Sequence, residues 1–256
     1  LIRVSRVRTP DRAVGHCFCD VEGRGDGDFF VLEMKMDNGD FFGYTIGRTS
    51  QYGRGKMRIP KHVAVIPDGN RRWAVNHKLK KQEGYDHGLE PGLKVLKKAI
   101  EYGISEITYY GFTKDNCKRP KVQQQAFQKA CVDAVKMIEE QGDVSLLVLG
   151  DSESDNFPEN LLSYRERQDI GEPKIKVNFL VNYGWDWDLK GMRSKEIPRV
   201  DLVIRWGNMR RLSGMLPIQC VYSDFYVVER CWPDYQEEDF DKALLWYDKQ
   251  DVTLGG

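Results

Sequence analysis

The sequence predicts an α/β protein: a mainly parallel sheet surrounded by helices, preceded by a β-hairpin appendage. Three observations lead to this prediction. Short apolar runs alternate with helical patterns from residue 61 onward, and several of these runs end in polar clusters. Residues 1–57 have a different pattern, with a Gly/Asp-rich stretch followed by alternating apolar and charged residues. Alternating strands and helices are typical of parallel sheets covered by helices. We therefore divide the chain into an appendage, residues 1–57, and a main domain, residues 58–256.

The appendage contains the pattern of a β-hairpin. A Gly/Asp-rich stretch, VEGRGDGD, is followed by FFVLEMKMDNGDFFGYTI, in which apolar and charged side chains alternate. Such alternation indicates a half-buried strand. Asn38 and Gly39 lie where a two-residue hairpin turn is expected, and Asn-Gly is the pair that such turns prefer. Residues 1–57 are therefore predicted to form a β-hairpin.

The main domain alternates between two periodicities. Six apolar runs have the length and composition of strands: HVAVIP, ITYYGF, SLLVLG, KVNFLVNY, DLVIRW and FYVVERCW. Between the first and second runs, Leu89, Leu93, Leu96 and Ile100 recur at helical spacing, and between the second and third runs Phe127, Cys131, Ala134 and Ile138 do so. In parallel α/β sheets, ligands bind beyond the carboxyl ends of the strands.

The composition excludes several classes of protein. The 256 residues include 39 basic and 39 acidic side chains, whereas proteins that bind nucleic acid usually carry a basic excess. No apolar run approaches the ~18 residues of a membrane span, and no secretory signal is present, so we expect a cytoplasmic protein. The six cysteines form no CxxC pair and the four histidines no zinc motif; we expect reduced thiols and no zinc.

Three polar clusters follow predicted strands. They are PDGNRRW at 67–73, GFTKDNCKRP at 111–120 and RWGNMRRLSG at 205–214. Guanidinium groups donate paired hydrogen bonds to oxyanions, and small residues let backbone N–H groups approach an anion. Each cluster alone is also compatible with a solvated loop. Three of them at one edge of a sheet favour a site for more than one phosphate.

Two aspartates suggest a metal at this site. Asp68 lies in the first cluster and Asp224 in a later segment, and the two could share a cation. Mg²⁺ is commonly held by one or two carboxylates together with substrate phosphates, so the sequence predicts a magnesium–diphosphate site. No P-loop or GxGxxG motif precedes a helix, and nucleotide binding therefore has no specific support.

The motifs resemble those of the cis-prenyltransferase family, the undecaprenyl diphosphate synthase-like enzymes. The resemblance covers roughly residues 61–256 and rests on IPDGNRRWA, GFTKDNCKRP, VNYG, DLVIRWGNMRRLS and YSDFYVVERCWPDYQEEDF, in this order. It implies a parallel six-stranded sheet ringed by helices, a hydrophobic tunnel for the growing chain, a homodimer, and peripheral membrane contact through a lipid product. It also implies elongation of an allylic prenyl diphosphate by isopentenyl diphosphate in Z geometry, with Mg²⁺ as cofactor.

The resemblance also assigns roles to individual residues. Asp68 resembles the aspartate that binds magnesium and diphosphate, and Asp224 stands where the family has a magnesium-binding glutamate. Asn116 resembles the asparagine assigned to proton handling, so the implied catalytic residues are Asp68, Asn116 and Arg72. The substrate contacts implied are Gly69, Asn70, Arg71, Arg72, Trp73, Lys81, Tyr85, Thr113, Arg119, Arg205, Arg211 and Ser213.

Several positions depart from the family pattern. The family's RTGG is RWGN here, and NYGGR is NYGWDWDL, which introduces Asp186 and Asp188. A histidine is replaced by Tyr85, a tryptophan by Cys117, and the usual RFGG by the final VTLGG. Two interpretations stay open: family drift with regular activity, or an altered acceptor site for a second allylic diphosphate or an alcohol. A non-catalytic partner subunit is a third, but such subunits typically lose the aspartate loop, which this chain keeps.

Overall fold

The computed structural model describes residues 57–251 in full and, before them, the backbone of four strands. These strands are β1 (Ile2–Arg6), β2 (Cys17–Val21), β3 (Phe30–Asp37) and β4 (Asp40–Arg48), and neighbours pair antiparallel in that order. The strands of the predicted hairpin correspond to β3 and β4, while its turn residues, Asn38 and Gly39, lie outside the described residues. Residues 1–56 and 57–256 form two compact units.

The second unit is built on a seven-stranded sheet. Its strands are β5 (His62–Ile66), β6 (Glu106–Tyr110), β7 (Val144–Leu149), β8 (Gln168–Ile170), β9 (Ile175–Leu180), β10 (Leu202–Arg205) and β11 (Asp224–Val227). They are arranged in the order β11-β10-β5-β6-β9-β7-β8, and all neighbours are parallel except β8, which pairs antiparallel with β7. The predicted α/β class is confirmed. The sheet has seven strands instead of the six expected. The additional strand, β8, was not predicted because its three residues are too few to show an alternation of apolar and polar side chains.

Helices cover the sheet. They are α1 (Asn70–Asn76), α2 (Leu89–Glu101), α3 (Lys121–Gln141), α4 (Trp185–Gly191) and α5 (Glu237–Asp248), with short 3₁₀ helices at Glu83–Gly88, Lys114–Lys118, Glu159–Arg165 and Trp232–Asp234. The helical spacing noted in the sequence corresponds to α2 and α3. Leu96 of α2 is fully buried, and Cys131 and Ile138 of α3 are at most 5% exposed.

The core lies on both faces of the sheet. On one face, side chains of β5, β6, β9 and β10 pack with α2, α3 and α5, and Leu96 and Phe240 are completely buried there. On the other face, a smaller cluster includes Leu180, Tyr183 and Leu216. Burying one Leu or Phe side chain stabilises the fold by about 1.5–3 kcal/mol, and this layer on each face fixes the sheet as a rigid platform.

The register of the parallel strands aligns the ends that carry the polar clusters. Ile66, the last residue of β5, lies opposite Arg205, the last residue of β10. The first two clusters follow β5 and β6, so all three meet at the carboxyl edge of the sheet. Among the described residues, no helix combines the length and apolar character that crossing a membrane requires.

Candidate functional site

The polar clusters line one cavity at the carboxyl edge of the sheet. Its volume is about 730 Å³. It brings together all of the predicted site residues except Trp73 and Asp224, namely Asp68, Gly69, Asn70, Arg71, Arg72, Lys81, Tyr85, Thr113, Asn116, Arg119, Arg205, Arg211 and Ser213. Six cationic side chains and two carboxylates, Asp68 and Asp115, line it, which gives a formal net charge of +4. A cavity of this charge is suited to a polyanion.

Asp68 and Arg205 form the central ion pair of the cavity. Arg205 Nη2 donates to Asp68 Oδ2 at 2.8 Å, and the Arg205 side chain is only 5% exposed. Arg205 Nη1 also donates to Ser213 Oγ at 2.9 Å and to the backbone carbonyl of Arg211. The loop carrying Arg211 and Ser213 is therefore fixed to the carboxylate through one buried guanidinium.

The other oxygen of Asp68 is held by its own loop. Gly69 N–H donates to Asp68 Oδ1 at 2.6 Å, and Gly69 has φ 108°. This left-handed conformation suits glycine, and a Cβ here would lie 2.8 Å from that of Cys231. The loop thus turns sharply into α1 and leaves the carboxylate about one-third exposed toward the cavity.

Arg72 crosses the cavity to a second glycine. Its Nη2 donates to the carbonyl of Gly207 at 2.8 Å and lies 3.7 Å from Asp68 Oδ2. Gly207 has φ +85°, and a Cβ there would lie 2.5 Å from Arg72 Nη2 and 3.0 Å from the Asp68 carbonyl oxygen. The close approach of the first and third clusters therefore depends on the absence of a side chain at Gly207.

The second cluster forms the opposite wall. Thr113 and Asn116 cap the 3₁₀ helix Lys114–Lys118 reciprocally, and Thr113 N–H donates to Asn116 Oδ1 at 3.1 Å. Arg119 Nη1 donates to the hydroxyl of Tyr85 at 2.8 Å. Burial lowers the pKa of Arg119 and raises that of Tyr85, so the cation faces a neutral phenol.

An apolar cavity of about 70 Å³ adjoins the polar one. The two cavities share Pro67, Asn70, Tyr85, Gly111 and Phe127 as walls. The rest of the apolar cavity is lined mainly by α2 and α3, with Leu89, Leu93, Ala130, Cys131, Ala134, Met137 and Ile138, and by Tyr109, Phe179 and Trp232. The arrangement is complementary to an amphiphile with an anionic head and a hydrocarbon tail.

Phe127 and Tyr110 belong to the site but were missed from the sequence. Phe127 was assigned only to the buried face of a helix, and Tyr110 lies within an apolar strand, so neither showed a polar signal. Both line the polar cavity, and the Tyr110 hydroxyl donates to the carbonyl of Ser213 at 2.8 Å. Tyr110 therefore anchors the same loop as Arg205.

Trp73 and Asp224 lie away from the cavity. Trp73 Nε1 donates to Asp234 at 2.6 Å, and its ring stacks on that of His77. Asp224 is the first residue of β11 and pairs with Leu202 at the start of β10, at the edge opposite to Arg205. The structure therefore does not support the predicted sharing of one cation by Asp68 and Asp224, because the strand register separates them.

A metal at this site would depend on Asp68. Within residues 57–251 no group of three or more His, Cys, Asp or Glu side chains could hold a metal by itself. Asp68 is the carboxylate that faces the cavity next to the arginines. One carboxylate fits Mg²⁺ when substrate phosphates supply further oxygen ligands, which is the usual composition of such sites.

Two of the departures from the family pattern do not alter the cavity. Trp206 is fully buried in the core, with its ring 4.7 Å from that of Trp232, and does not line the cavity. Asp188 is buried and accepts hydrogen bonds from the Tyr183 hydroxyl and from Ser194 N–H, so it stabilises the end of α4. Asp186 lies outside the cavity lining as well, and residues 252–256 lie outside the described part of the chain.

The sequence is similar to those of known proteins. The sequence profile of a family described as putative undecaprenyl diphosphate synthase matches residues 66–194 and 189–255. An isoprenyl transferase from Nitrosomonas europaea is 30% identical over 226 residues, covering 77% of this chain and 86% of that protein. A ditrans,polycis-undecaprenyl-diphosphate synthase ((2E,6E)-farnesyl-diphosphate specific) from Buchnera aphidicola is 29% identical over 241 residues, covering 79% and 96%.

Solved structures share the fold. Lavandulyl diphosphate synthase from Lavandula x intermedia, in complex with dimethylallyl diphosphate, aligns with a TM-score of 0.65 at 22% identity, covering 77% of this chain and 99% of that one. A probable undecaprenyl diphosphate synthase from Campylobacter jejuni aligns with a TM-score of 0.60 at 24% identity, covering 78% and 100%.

Substituting Gly207 tests the close approach of Arg72. We expect Gly207→Ala to weaken the binding of inorganic pyrophosphate about tenfold, since the new methyl group would displace the Arg72 guanidinium, one of the cations that line the cavity. Gly103→Ala is the matched control, because Gly103 has φ +71° and open space around its Cβ position. Both variants pay a backbone strain of about 1–2 kcal/mol in unfolding experiments. Equal pyrophosphate affinity of the two variants in calorimetry would contradict the proposed contact.

Proposed function

Because the chain belongs to the undecaprenyl diphosphate synthase family and is a prenyltransferase, we propose that it transfers an allylic prenyl group to isopentenyl diphosphate, forming a Z double bond with the aid of Mg²⁺. The observation that carries this proposal is the junction of a cationic cavity with an apolar one. The first is suited to two diphosphates, and the second to a prenyl tail. A donor bound across the shared wall would have its reacting carbon at the boundary between the two cavities.

The cavity offers two groups of anion ligands. Arg71, Arg72 and Arg119 line the cavity and are proposed to bind the allylic diphosphate, with Arg119 next to the apolar cavity through its contact with Tyr85. Arg205, Arg211 and Ser213 form the other side and are proposed to bind isopentenyl diphosphate. Asp68 lies between them and would hold Mg²⁺ together with diphosphate oxygens. When bound, the ion neutralises charge on the leaving diphosphate.

The reaction requires separation of charge. The C–O bond of the allylic donor breaks, and diphosphate leaves with the bonding electrons. The terminal alkene carbon of isopentenyl diphosphate bonds to the allylic carbon, and a proton departs from the neighbouring methylene group to the released diphosphate, in the region of Asn116. Preplaced guanidinium groups stabilise the negative charge that develops on the leaving group, and fixed positions for both substrates supply proximity.

The geometry favours the regular acceptor over the alternatives. Trp206, Asp186 and Asp188 lie outside the cavity, so they neither fill the acceptor side nor repel a diphosphate there. Arg205 Nη1 donates a hydrogen bond to Ser213 Oγ, and this fixed arrangement supports the proposed anion site. A non-catalytic partner subunit would not need a complete donor loop with Asp68 and Arg72 facing the cavity.

Product analysis tests the proposed reaction. The purified chain is incubated with Mg²⁺, labelled isopentenyl diphosphate and dimethylallyl, geranyl or farnesyl diphosphate, with small alcohols offered in competition. We expect regular products with new Z double bonds, and loss of turnover when EDTA removes the metal. Branched products from two allylic donors or prenyl ethers would identify an altered acceptor site. No turnover with any donor would favour the partner-subunit alternative.

Asp68 is expected to be essential for turnover. Asp68→Asn removes the charge that anchors the metal but keeps an oxygen that can accept from Arg205, so the fold should be retained. We expect kcat/KM to fall roughly 10²–10³-fold, the range seen when a preplaced electrostatic contact is removed. The control is Asp115→Asn, since Asp115 also lines the cavity but is exposed and paired with Lys118 at 2.6 Å. Equal activity of the two variants would refute the role of Asp68.

We also propose that the chain forms a homodimer. Exposed apolar side chains lie on α4 and its end and on residues 218–222: Trp185, Leu189, Met192, Ile218, Val221 and Tyr222. Gln219 joins the two segments, since its Nε2 donates to the carbonyl of Ser194 at 3.0 Å. Exposed apolar surface of this kind is typical of protein interfaces.

Light scattering tests this interface. Val221 is 66% exposed within the patch, and we expect Val221→Glu to convert a dimer into a monomer, because burying an unpaired carboxylate opposes association. Val122 on α3 is 53% exposed outside the patch, and Val122→Glu should leave the dimer intact. A dimer with Val221→Glu, or a monomeric parent protein, would contradict the proposal.

A further inference from the structure

The contact between Tyr85 and Arg119 lies at the junction of the two cavities. Tyr85 lines both, and Arg119 lines only the polar one. Arg119 Nη1 donates to Tyr85 Oη at 2.8 Å. Within residues 57–251 this hydroxyl is the only hydrogen-bond acceptor of the Arg119 guanidinium, whose other N–H donors are therefore left for a ligand in the cavity.

The Tyr85 ring is held rigidly. It is 4% exposed and stacks on Phe127 with ring centroids 4.5 Å apart and an interplanar angle of 3°. Phe127 in turn meets Phe112 edge to face at 5.5 Å, and Phe112 is fully buried. Stacked aromatic rings in a packed core have little freedom to move. The hydroxyl oxygen is consequently a fixed point on the wall of the polar cavity.

Arg119 needs such a fixed point. Its guanidinium is attached to a flexible chain. Burial, together with a smaller effect of the like charge of Arg71, lowers the pKa of Arg119, and Tyr85 and Asp68 partly offset this. The remaining contact is a weak one, with Cζ 5.6 Å from the centre of the Phe127 ring. In the absence of the hydroxyl, no hydrogen bond within residues 57–251 would hold the guanidinium, and the flexible side chain could rotate away from this position.

We propose that Tyr85 is a positioning residue that holds the Arg119 guanidinium at the mouth of the apolar cavity, where a prenyl diphosphate changes from head to tail. The inference rests on the proposed function of this cavity. This role would also explain why Tyr85 occupies a position where the cis-prenyltransferase family has a histidine. Burial raises the pKa of Tyr85, so the phenol accepts the hydrogen bond without adding a charge near the site.

Tyr85→Phe tests the hydroxyl alone, because the ring and its stacking are kept. We expect the affinity for inorganic pyrophosphate to fall about threefold and kcat/KM for an allylic donor about tenfold, since contacts to phosphate strengthen as charge develops. The matched control is Tyr102→Phe. Tyr102 also donates a hydroxyl hydrogen bond, at 2.8 Å to Asp241, but lies outside both cavities. It should change neither value.

A double-mutant cycle separates positioning from packing. If Tyr85 acts through Arg119, Tyr85→Phe should change kcat/KM less than about twofold in an Arg119→Ala background, because the two effects are not additive. A full tenfold loss in that background, or unchanged pyrophosphate affinity in the single variant, would overturn the proposal. The pyrophosphate titration requires no turnover, so an inactive parent protein that still loses affinity through Tyr85→Phe would refute the proposed reaction and not this contact.

Discussion

The candidate site depends on one buried cation, the guanidinium of Arg205. It lies at the end of β10, and its donors reach Asp68 in the loop after β5 and the loop that carries Arg211 and Ser213. A buried charge is tolerated only where it is paired and hydrogen-bonded, so these loops must stay where Arg205 holds them. The hydrogen bond from Arg205 Nη2 to Asp68 Oδ2 also holds the Asp68 carboxylate in a defined orientation in the cavity. Cationic and polar side chains from distant parts of the sequence are thereby held together in one preorganised cavity.

The preorganised site lies next to an apolar wall, and this proximity has a chemical consequence. Guanidinium groups stabilise a leaving diphosphate, but they oppose positive charge on the carbon it leaves. In the proposed binding mode the shared wall would resolve this conflict, because the carbon chain would lie next to Tyr85 and Phe127 while the charged groups of the polar cavity would contact the phosphates. The negative face of an aromatic ring favours a nearby cation. In the proposed reaction, the positive charge that develops on the allylic carbon is therefore least disfavoured at the boundary between the cavities.

Much of the fold and of the site could be predicted from the sequence, because both depend on local patterns. Apolar runs of strand length, two helical stripes and polar residues at strand ends identified the parallel sheet and the edge that carries the cavity. To assign an individual side chain to the cavity or to the core, the strand register and the position of the strand end had to be known. Arg205 is the last residue of β10 and Trp206 follows it directly; the Arg205 side chain lines the cavity, whereas that of Trp206 is buried in the core. The sequence showed both residues in one cluster and could not separate them without the position of the strand end.

Asp224 shows the same limit at the scale of the whole sheet. Its motif places it eight residues before Trp232, and both residues belong to a segment that resembles the family. The pairing of Leu202 with Asp224 puts this carboxylate at the amino edge, whereas Arg205 and Asp68 are at the carboxyl edge. Three residues of a strand separate the two edges, which corresponds to about 10 Å. Burial raises the pKa of Asp224, and the nearby cations Arg58 and Arg199 partly offset this effect. Asp224 is thus separated from the cavity, and Asp68, which lines the cavity and lies next to Arg72 and Arg205, is the carboxylate that we propose for the metal.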